Sequence, residues 1–321
     1  MAHLASVRHK LLAESHLAVI AANVSCGAPR DGAHKGPRAI IDSGIFADIQ
    51  SKLGLRTTIE DVLKSPLEPV KNTDLAVEGM KRARDVSEST RLVSEHVYRH
   101  AQQGRFVLTL GGDHSIGIGT LTGMSKAIRE RDPSGELAVL WIDAHADINT
   151  PQTSESGRIH GMPVAFASGL AQPSSEGFFG WIEECHLIDL RRFVYIGLRD
   201  IDEAEQVTIA KRGIKAFTMN DVRQLGIKKV MDLALGHIGA KNPIHVSFDI
   251  DSLDPTYASS TGFPVASGLS LEEGMHISER LSDSGNLVSM DLVEINPYIA
   301  TSELETTINS GKMVIQKALG L

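Results

Sequence analysis

Short apolar runs alternate along the chain with longer segments in which apolar residues recur at helical spacing. Compact apolar runs bounded by turn residues are typical of strands buried inside a sheet. Strands are therefore predicted at residues 17–22, 106–110, 137–142, 193–198, 214–217, 244–248 and 287–292. Because strands and helices alternate, the pattern predicts βαβ units that form one mainly parallel sheet with helices on both faces.

The intervening segments predict helices and loops. Helices are expected from about residue 74 to 102, after Gly117, near 163–168, at 203–212, 221–238 and 271–282, and from about 303. Stretches rich in Gly, Pro, Ser and Thr predict loops at 27–36, 150–161, 172–177 and 254–268. Three of these loops follow a strand or a polar motif, and ligands of parallel sheets bind beyond the carboxyl ends of the strands. We therefore expect the loops to form the walls of one pocket.

Length, charge and cysteine content narrow the class of protein. The 321 residues fit a single α/β domain with a large core. A formal net charge of −8 disfavours nucleic acid and anionic membranes as partners, and no apolar stretch approaches the roughly 20 residues of a membrane span. Cys26 and Cys185 have no disulfide or metal-binding spacing, which favours a reducing, cytoplasmic compartment.

One domain is predicted over residues 17–321, preceded by an extension over residues 1–16 for which disorder is expected. The extension carries Arg8 and Lys10 before its first acidic residue, Glu14. This arrangement weakly resembles an organellar transit segment. An ordinary extension is the favoured interpretation.

Three polar motifs directly follow predicted strands: GGDHS at 111–115, DAHAD at 143–147 and DIDSLDP at 249–255. An extended backbone points alternate residues to one side, so the second motif can direct two carboxylates and an imidazole, and the third motif two carboxylates, at one point. The resulting cluster contains His114, Asp143, His145, Asp147, Asp249 and Asp251. Carboxylates and imidazoles without cysteine suit Mn²⁺, Co²⁺, Fe²⁺ or Zn²⁺.

The number of carboxylates in this cluster argues for two ions. Burying four carboxylates together without a cation would cost several kcal/mol for each unpaired charge. Six side chains, some of them bridging, are what two divalent ions about 3.5–4 Å apart require. Two ions lower the pKa of a bridging water and polarise the bond that it attacks. The residues alone thus predict metal-assisted hydrolysis and leave the substrate open.

A longer series of motifs extends from about residue 17 to the C-terminus. In order, they are GGDHS, DAHADINTP, SGRIHGMPV, IGLRDID, SFDIDSLDP, TGFPV and MDLVEINP. Together they resemble the arginases of the ureohydrolase superfamily. The resemblance implies about eight parallel strands, two Mn²⁺ per chain with Co²⁺ or Fe²⁺ as alternatives, and a homotrimer. It also implies hydrolysis of L-arginine to L-ornithine and urea, by attack of a metal-bridging hydroxide on the guanidinium carbon.

The resemblance also implies how the six ligands divide. One ion would be held by His114, Asp143, Asp147 and Asp249, and the other by His145, Asp143, Asp249 and Asp251. Asp147 is counted with the catalytic residues as well.

Two further catalytic residues are implied by position. His160 matches the proton-shuttle histidine of the family, and an imidazole near its ordinary pKa of about 6.5 suits that task. Glu294 matches the carboxylate that holds the substrate guanidinium, for which planar pairing with N–H donors is suitable.

Contacts to the amino-acid part of the substrate are implied for a second group of residues. Asn149, Ser154 and Ser156 match positions that bind the α-carboxylate, and Asp202 matches the position that binds the α-amino group. Asp200 and Glu205 lie in the same segment as supporting residues.

Three residues depart from the pattern of the family, one of them Ser252, which stands beside Asp251 where arginases usually have Gly. Arg158 stands where arginases usually have Asn, and its guanidinium could bind the substrate carboxylate directly, so it is included among the substrate-binding residues. Phe263 replaces the more usual Thr. These departures keep open a related amidinohydrolase that acts on another guanidino acid or on agmatine. A non-catalytic scaffold is less favoured, because the ligand set is complete, and GGDHS and HGMPV do not suit a metal-dependent deacetylase.

Overall fold

The structure is a computed structural model that describes residues 9–12, 15–62 and 76–321. All neighbouring strands of its single sheet are parallel. The strands are β1 (His16–Ala22), β2 (Arg56–Asp61), β3 (Phe106–Gly111), β4 (Ala138–Ile142), β5 (Phe193–Leu198), β6 (Lys215–Thr218), β7 (Ile244–Asp249) and β8 (Leu287–Val293). Their order across the sheet is β2-β1-β3-β8-β7-β4-β5-β6. The predicted fold class is confirmed.

Helices cover both faces of the sheet. They are α1 (Gly36–Asp42), α2 (Ile45–Leu53), α3 (Ala83–Gln102), α4 (Gly117–Arg131), α5 (Pro163–Ala167), α6 (Glu203–Arg212), α7 (Met219–Leu225), α8 (Ile227–Ile238), α9 (Leu271–Asp283) and α10 (Leu304–Ala318). Among the described residues, no helix combines the length and apolarity that a bilayer crossing needs.

Alternation along the strands divides the core into two layers. In β4, Val139 and Trp141 pack with α3, α4 and α5, whereas Leu140 and Ile142 pack with the helices of the opposite face. All four side chains are fully buried. A strand that is buried on both faces reads as a continuous apolar run, which explains why the central strands were predictable.

The prediction missed β2, α1 and α2. The β2 sequence, Arg-Thr-Thr-Ile-Glu-Asp, is polar because this strand lies at the edge of the sheet and is partly exposed. Polar and charged edge strands protect a sheet from pairing with other chains. The helix α1 begins at the last residue of the loop predicted at 27–36, α2 follows α1, and each spans fewer than ten residues.

Two helix boundaries were wrong. The helix predicted from residue 74 begins at Ala83. Residues 74 and 75 lie outside the described part of the chain, and Val77 and Met80 form an isolated β-bridge across a turn. The helix predicted over 221–238 is divided at Gly226, whose φ of 77° breaks the helical path.

Most of the extension predicted over residues 1–16 lies outside the described residues. Within it, Leu11 is buried in the core layer that contains α3 and α4, and Lys10 pairs with Asp132 at 2.5 Å. The domain boundary at residue 17 stays a prediction.

Candidate active site

The sheet brings the predicted site residues together at its carboxyl edge. The strands β3, β8, β7 and β4 are neighbours in that order, and each ends at a polar residue of the site. His114 follows β3, Glu294 follows β8, Asp249 ends β7 and Asp143 follows β4. The four residues are widely separated along the chain and converge only because these strands pair.

The second glycine of GGDHS, Gly112, allows close backbone contact below the site. A Cβ on Gly112 would lie 1.7 Å from the carbonyl oxygen of Val24, so this position requires glycine. The Gly112 carbonyl accepts a 2.7 Å hydrogen bond from the Glu294 amide. The Asp113 carboxylate accepts hydrogen bonds from the amides of Gly27 and Ala28, which ties the 27–36 loop to the site.

His114 lies at the centre of the first group of candidate ligands. Its Nδ1 is 3.1 Å from an oxygen of Asp143, 3.1 Å from Asp147 and 3.0 Å from Asp249. This nitrogen is buried, yet none of the three contacts has hydrogen-bond geometry. The imidazole stacks on the Trp141 indole with 4.1 Å between ring centroids. The Nδ1 atom of His114 and three carboxylates thus point at one place.

His145 forms the second group. Its Nδ1 is 3.4 Å from Oδ1 of Asp143 and 3.2 Å from Oδ2 of Asp251. Asp143 belongs to both groups, since its other oxygen, Oδ2, faces His114. The Asp143 carboxylate is held in place by the Trp141 Nε1–H and by the His145 amide.

The carboxylates repel one another. Burial, together with the charges of Asp251 and Asp143, raises the pKa of Asp249 well above its ordinary value. Burial also raises the pKa of Asp147, with Asp143 adding to the effect, and raises that of Asp251 to about 6.

The pKa values of the two imidazoles in the cluster are also raised. Burial alone would lower their pKa values, but the surrounding carboxylates raise the pKa of both His114 and His145. A site with excess buried negative charge and an unpartnered His114 Nδ1 fits divalent cations, which supply positive charge and accept the nitrogen lone pair.

The metal-free protein is expected to lose stability as the pH rises from 7 to 8. Burial, reinforced by Asp147 and Asp202, raises the pKa of Glu205 to about 8, far above its ordinary value of about 4.3. The raised pKa values of His114 and His145 act in the same direction. The folded state then binds more protons than the unfolded state, so the free energy of unfolding falls with pH in this window.

Denaturant unfolding in the presence of a chelator at pH 7 and pH 8 measures this loss. Glu205→Gln is the matched variant, and its decline should be shallower than that of the wild type. A free energy of unfolding that is constant or rises over this window would contradict the prediction.

A cavity of about 620 Å³ opens above the candidate ligands. Thirteen of the predicted site residues line it: His145, Asp147, Asn149, Ser154, Ser156, Arg158, His160, Asp200, Asp202, Glu205, Asp249, Asp251 and Glu294. His114 and Asp143, the other two, are buried beneath its floor.

Lys81, Glu155 and Pro29 also line the cavity, and the sequence did not single them out. The Lys81 amide donates a 2.8 Å hydrogen bond to the Gly157 carbonyl. That contact brings the segment before α3 to the 150–161 loop. Nothing in the local sequence indicates this contact between the two segments.

His160 and Glu294 face each other at the edge of the cluster. Nδ1 of His160 is 3.4 Å from Oε1 of Glu294, and the same oxygen accepts a 2.9 Å hydrogen bond from the His114 amide. Burial would lower the pKa of His160, but Glu294 raises it above the ordinary value expected from the sequence.

Two residues of the site have a left-handed backbone conformation. Glu294 has a φ of 64° and Asp147 has a φ of 50°. This conformation is strained for residues other than glycine and often marks functional positions.

The loops above the cluster form a connected polar wall. Asn149 Nδ2 donates to Asp202 at 3.0 Å, while Glu205 accepts hydrogen bonds from the amides of Ile148 and Asp202. The Ser154 hydroxyl accepts from the Gly157 amide, and that of Ser156 from the Arg158 amide. Asp200 is mostly exposed, with an oxygen 3.6 Å from Nε2 of His145.

Phe263 gives the cavity an aromatic side. Its ring stacks on His160 with 5.4 Å between centroids and an interplanar angle of 30°. It meets His145 edge-on at 6.4 Å. The guanidinium carbon of Arg30 lies 5.2 Å from its centroid.

Comparison with known proteins places this geometry in one family. The model of the arginase family matches residues 15–320. The chain is 47% identical over 316 residues to the arginase of Coccidioides posadasii, an alignment that covers 98% of this chain and 97% of that protein. It is 41% identical to human "Arginase-2, mitochondrial", over 97% of this chain and 87% of the relative.

Solved structures agree with these relatives. The arginase of Entamoeba histolytica in complex with L-ornithine superposes with a TM-score of 0.85 at 31% identity, covering 96% of this chain and 99% of that one. The chain therefore belongs to the arginase family and is a hydrolase of the amidinohydrolase kind.

Proposed function

We propose that the protein hydrolyses L-arginine to L-ornithine and urea with a pair of divalent ions, Mn²⁺ being the first candidate. The observation that carries the proposal is the buried, unpartnered Nδ1 of His114 among three carboxylates. Asp143 links this group to that of His145, and the cavity opens directly above both. The arginases among the relatives and the ornithine complex support the choice of substrate.

The six side chains would be shared between the two ions in the way that the resemblance to arginases implies. His114, Asp143, Asp147 and Asp249 would hold one ion, and His145, Asp143, Asp249 and Asp251 the other. When bound, the ions supply a water whose pKa is low enough to provide a nucleophile near neutral pH.

Glu294 and His160 act on the two ends of the bond that breaks. Glu294 accepts N–H bonds from the substrate guanidinium, while the His114 amide holds one of its oxygens in place. The Nδ1 of His160 faces Glu294, which leaves Nε2 to donate a proton to the departing amine as the carbon–nitrogen bond breaks. The amine leaves as the side-chain amino group of ornithine.

The polar wall recognises the amino-acid part. Asn149, Ser154, Ser156 and Arg158 bind the α-carboxylate, and Asp202 binds the α-amino group. Glu205 positions Asp202 through its backbone amide, and Asp200 supports His145 from the exposed side.

Urea release from L-arginine by Mn²⁺-loaded protein at mildly alkaline pH tests the proposal. Removing the metal with a chelator should abolish turnover. Asp202→Ala should lower kcat/KM for L-arginine by about tenfold or more, since a charged hydrogen bond is lost, and should leave a guanidino acid without an α-amine unaffected. A folded, metal-loaded protein that releases no urea would overturn the proposal.

A second candidate is an amidinohydrolase for another guanidino compound, favoured by the Phe263 ring beside His160. Under the arginase proposal, L-arginine should be hydrolysed faster than agmatine or a guanidino acid without an α-amine. Phe263→Thr and Arg158→Asn should then preserve that order of substrates. A preference for another substrate that reverts to L-arginine in these variants would establish the second candidate.

Homotrimeric assembly and a cytoplasmic location are proposed on the family resemblance and the cysteine content. Light scattering of the purified protein and fractionation of cells test them.

A further inference from the structure

A chain of buried polar groups runs from His114 into the sheet. Nε2 of His114 lies 2.8 Å from the Ser247 hydroxyl, which donates to Oδ1 of Asp291 at 2.6 Å. On its other oxygen, Asp291 accepts from the Thr120 hydroxyl at 2.8 Å and contacts Nε2 of His245 at 3.1 Å. Nδ1 of His245 is 2.8 Å from the Ser289 hydroxyl.

Strand pairing creates this chain. Ser247 of β7 lies opposite Asp291 of β8, and His245 lies opposite Ser289. Thr120 reaches the same carboxylate from α4. Exposure of these side chains is 1% or less, so water does not substitute for any of the contacts.

We infer that Asp291 is a positioning residue that, through Ser247, keeps the Nδ1 lone pair of His114 directed at the cation site. A carboxylate only accepts hydrogen bonds. The single hydroxyl proton of Ser247 therefore goes to Asp291, and the Ser247 oxygen must accept the proton of His114 Nε2. Nδ1 then carries a lone pair, the state that ligates a metal.

This inference rests on the proposed metal site and deepens it. Asp291 contacts neither the cavity nor the candidate ligands directly, because Ser247 stands between Asp291 and His114. In Asp291→Asn, the amide can donate to Ser247, whose proton can then turn towards Nε2 of His114. That reversal places the His114 proton on Nδ1, in competition with the cation.

Mn²⁺ titration of metal-free Asp291→Asn, followed by electron paramagnetic resonance of the free ion, tests the inference. The dissociation constant is expected to rise about 10- to 100-fold, as for other groups that orient a metal ligand. Ser289→Ala is the matched control, because this hydroxyl lies beyond Asp291, and its dissociation constant should stay within about twofold. Ser247→Thr keeps the hydroxyl and should also bind normally, whereas Ser247→Ala should be weakened.

Two further measurements separate positioning from loss of folding. Circular dichroism of the metal-free variants reports their folding, and Ser247→Ala tests the same route if Asp291→Asn does not fold. In the Zn²⁺-loaded wild type, nitrogen-15 spectra should show His114 protonated at Nε2.

Three results would overturn the inference while leaving arginine hydrolysis by the wild type intact. They are a wild-type Mn²⁺ affinity in folded Asp291→Asn, an equal loss of Mn²⁺ affinity in Ser289→Ala, and a proton on Nδ1 of His114. A wild type that binds no divalent ion would overturn the proposed function as well.

Discussion

Asp143→Asn is expected to abolish tight binding of both ions and to lower kcat/KM for L-arginine by more than about 10³-fold. Asp143 is the residue common to both groups of candidate ligands, with one oxygen 3.1 Å from His114 and the other 3.4 Å from His145. Leaving partners of a buried charge uncompensated costs about 3–5 kcal/mol, and here two partner groups are affected. Metal content by mass spectrometry and steady-state urea release measure the two effects.

The matched control for Asp143→Asn changes a carboxylate that is remote from the cavity. Asp232→Asn removes an exposed charge that pairs with Arg280, and it should retain full metal content and activity, since exposed ion pairs contribute little. Asp143→Asn protein that retains two ions and near wild-type turnover would show that the two groups are not joined through this residue.

Glu294→Gln is expected to separate metal binding from catalysis. The Gln side chain keeps an oxygen for the His114 amide, so the cluster should stay intact and the affinity for Mn²⁺ should change by no more than a few-fold. The charge that would bind the substrate guanidinium is lost. Breaking a buried charged hydrogen bond costs about 2–5 kcal/mol, so kcat/KM for L-arginine should fall by about 10²- to 10³-fold.

Calorimetric Mn²⁺ titration and substrate kinetics on the same preparation test this separation. Glu303→Gln, at an exposed position just before α10, is the matched control and should behave as wild type in both assays. If Glu294→Gln lost its metal in proportion to its activity, Glu294 would belong to the metal centre. If it retained full activity, the guanidinium would be bound elsewhere.

The local pattern of apolar and polar residues was sufficient to predict the central strands and the candidate ligands that follow them. β4 is apolar on both faces because it is buried between helices, so its run is recognisable without knowing its neighbours. By contrast, β2 is polar because it lies at the edge, and edge position is a property of the assembled sheet. Lys81 was not predicted to line the cavity for a similar reason. Its position there depends on a backbone contact with Gly157, which exists only in the assembled fold.

The candidate ligands were recognisable because the motifs together gather four carboxylates, which would be costly to bury near one another without a cation. Their convergence was expected from the general location of ligand sites in parallel sheets. The division of the Asp143 oxygens between His114 and His145, however, required atomic positions.

By itself, the sequence determined the parallel α/β class, the clustering of six candidate metal ligands and the resemblance to arginases. Only the tertiary structure decided that β3, β8, β7 and β4 lie side by side, that Asp147 and Glu294 adopt left-handed backbone conformations, and that Asp291 lies behind His114. The physical reason is the range of the interactions. Burial periodicity and the polar residues at strand ends are properties of consecutive residues, whereas strand order and hydrogen bonds between strands join residues that are distant in the sequence, such as Ser247 and Asp291 or Val107 and Ser289.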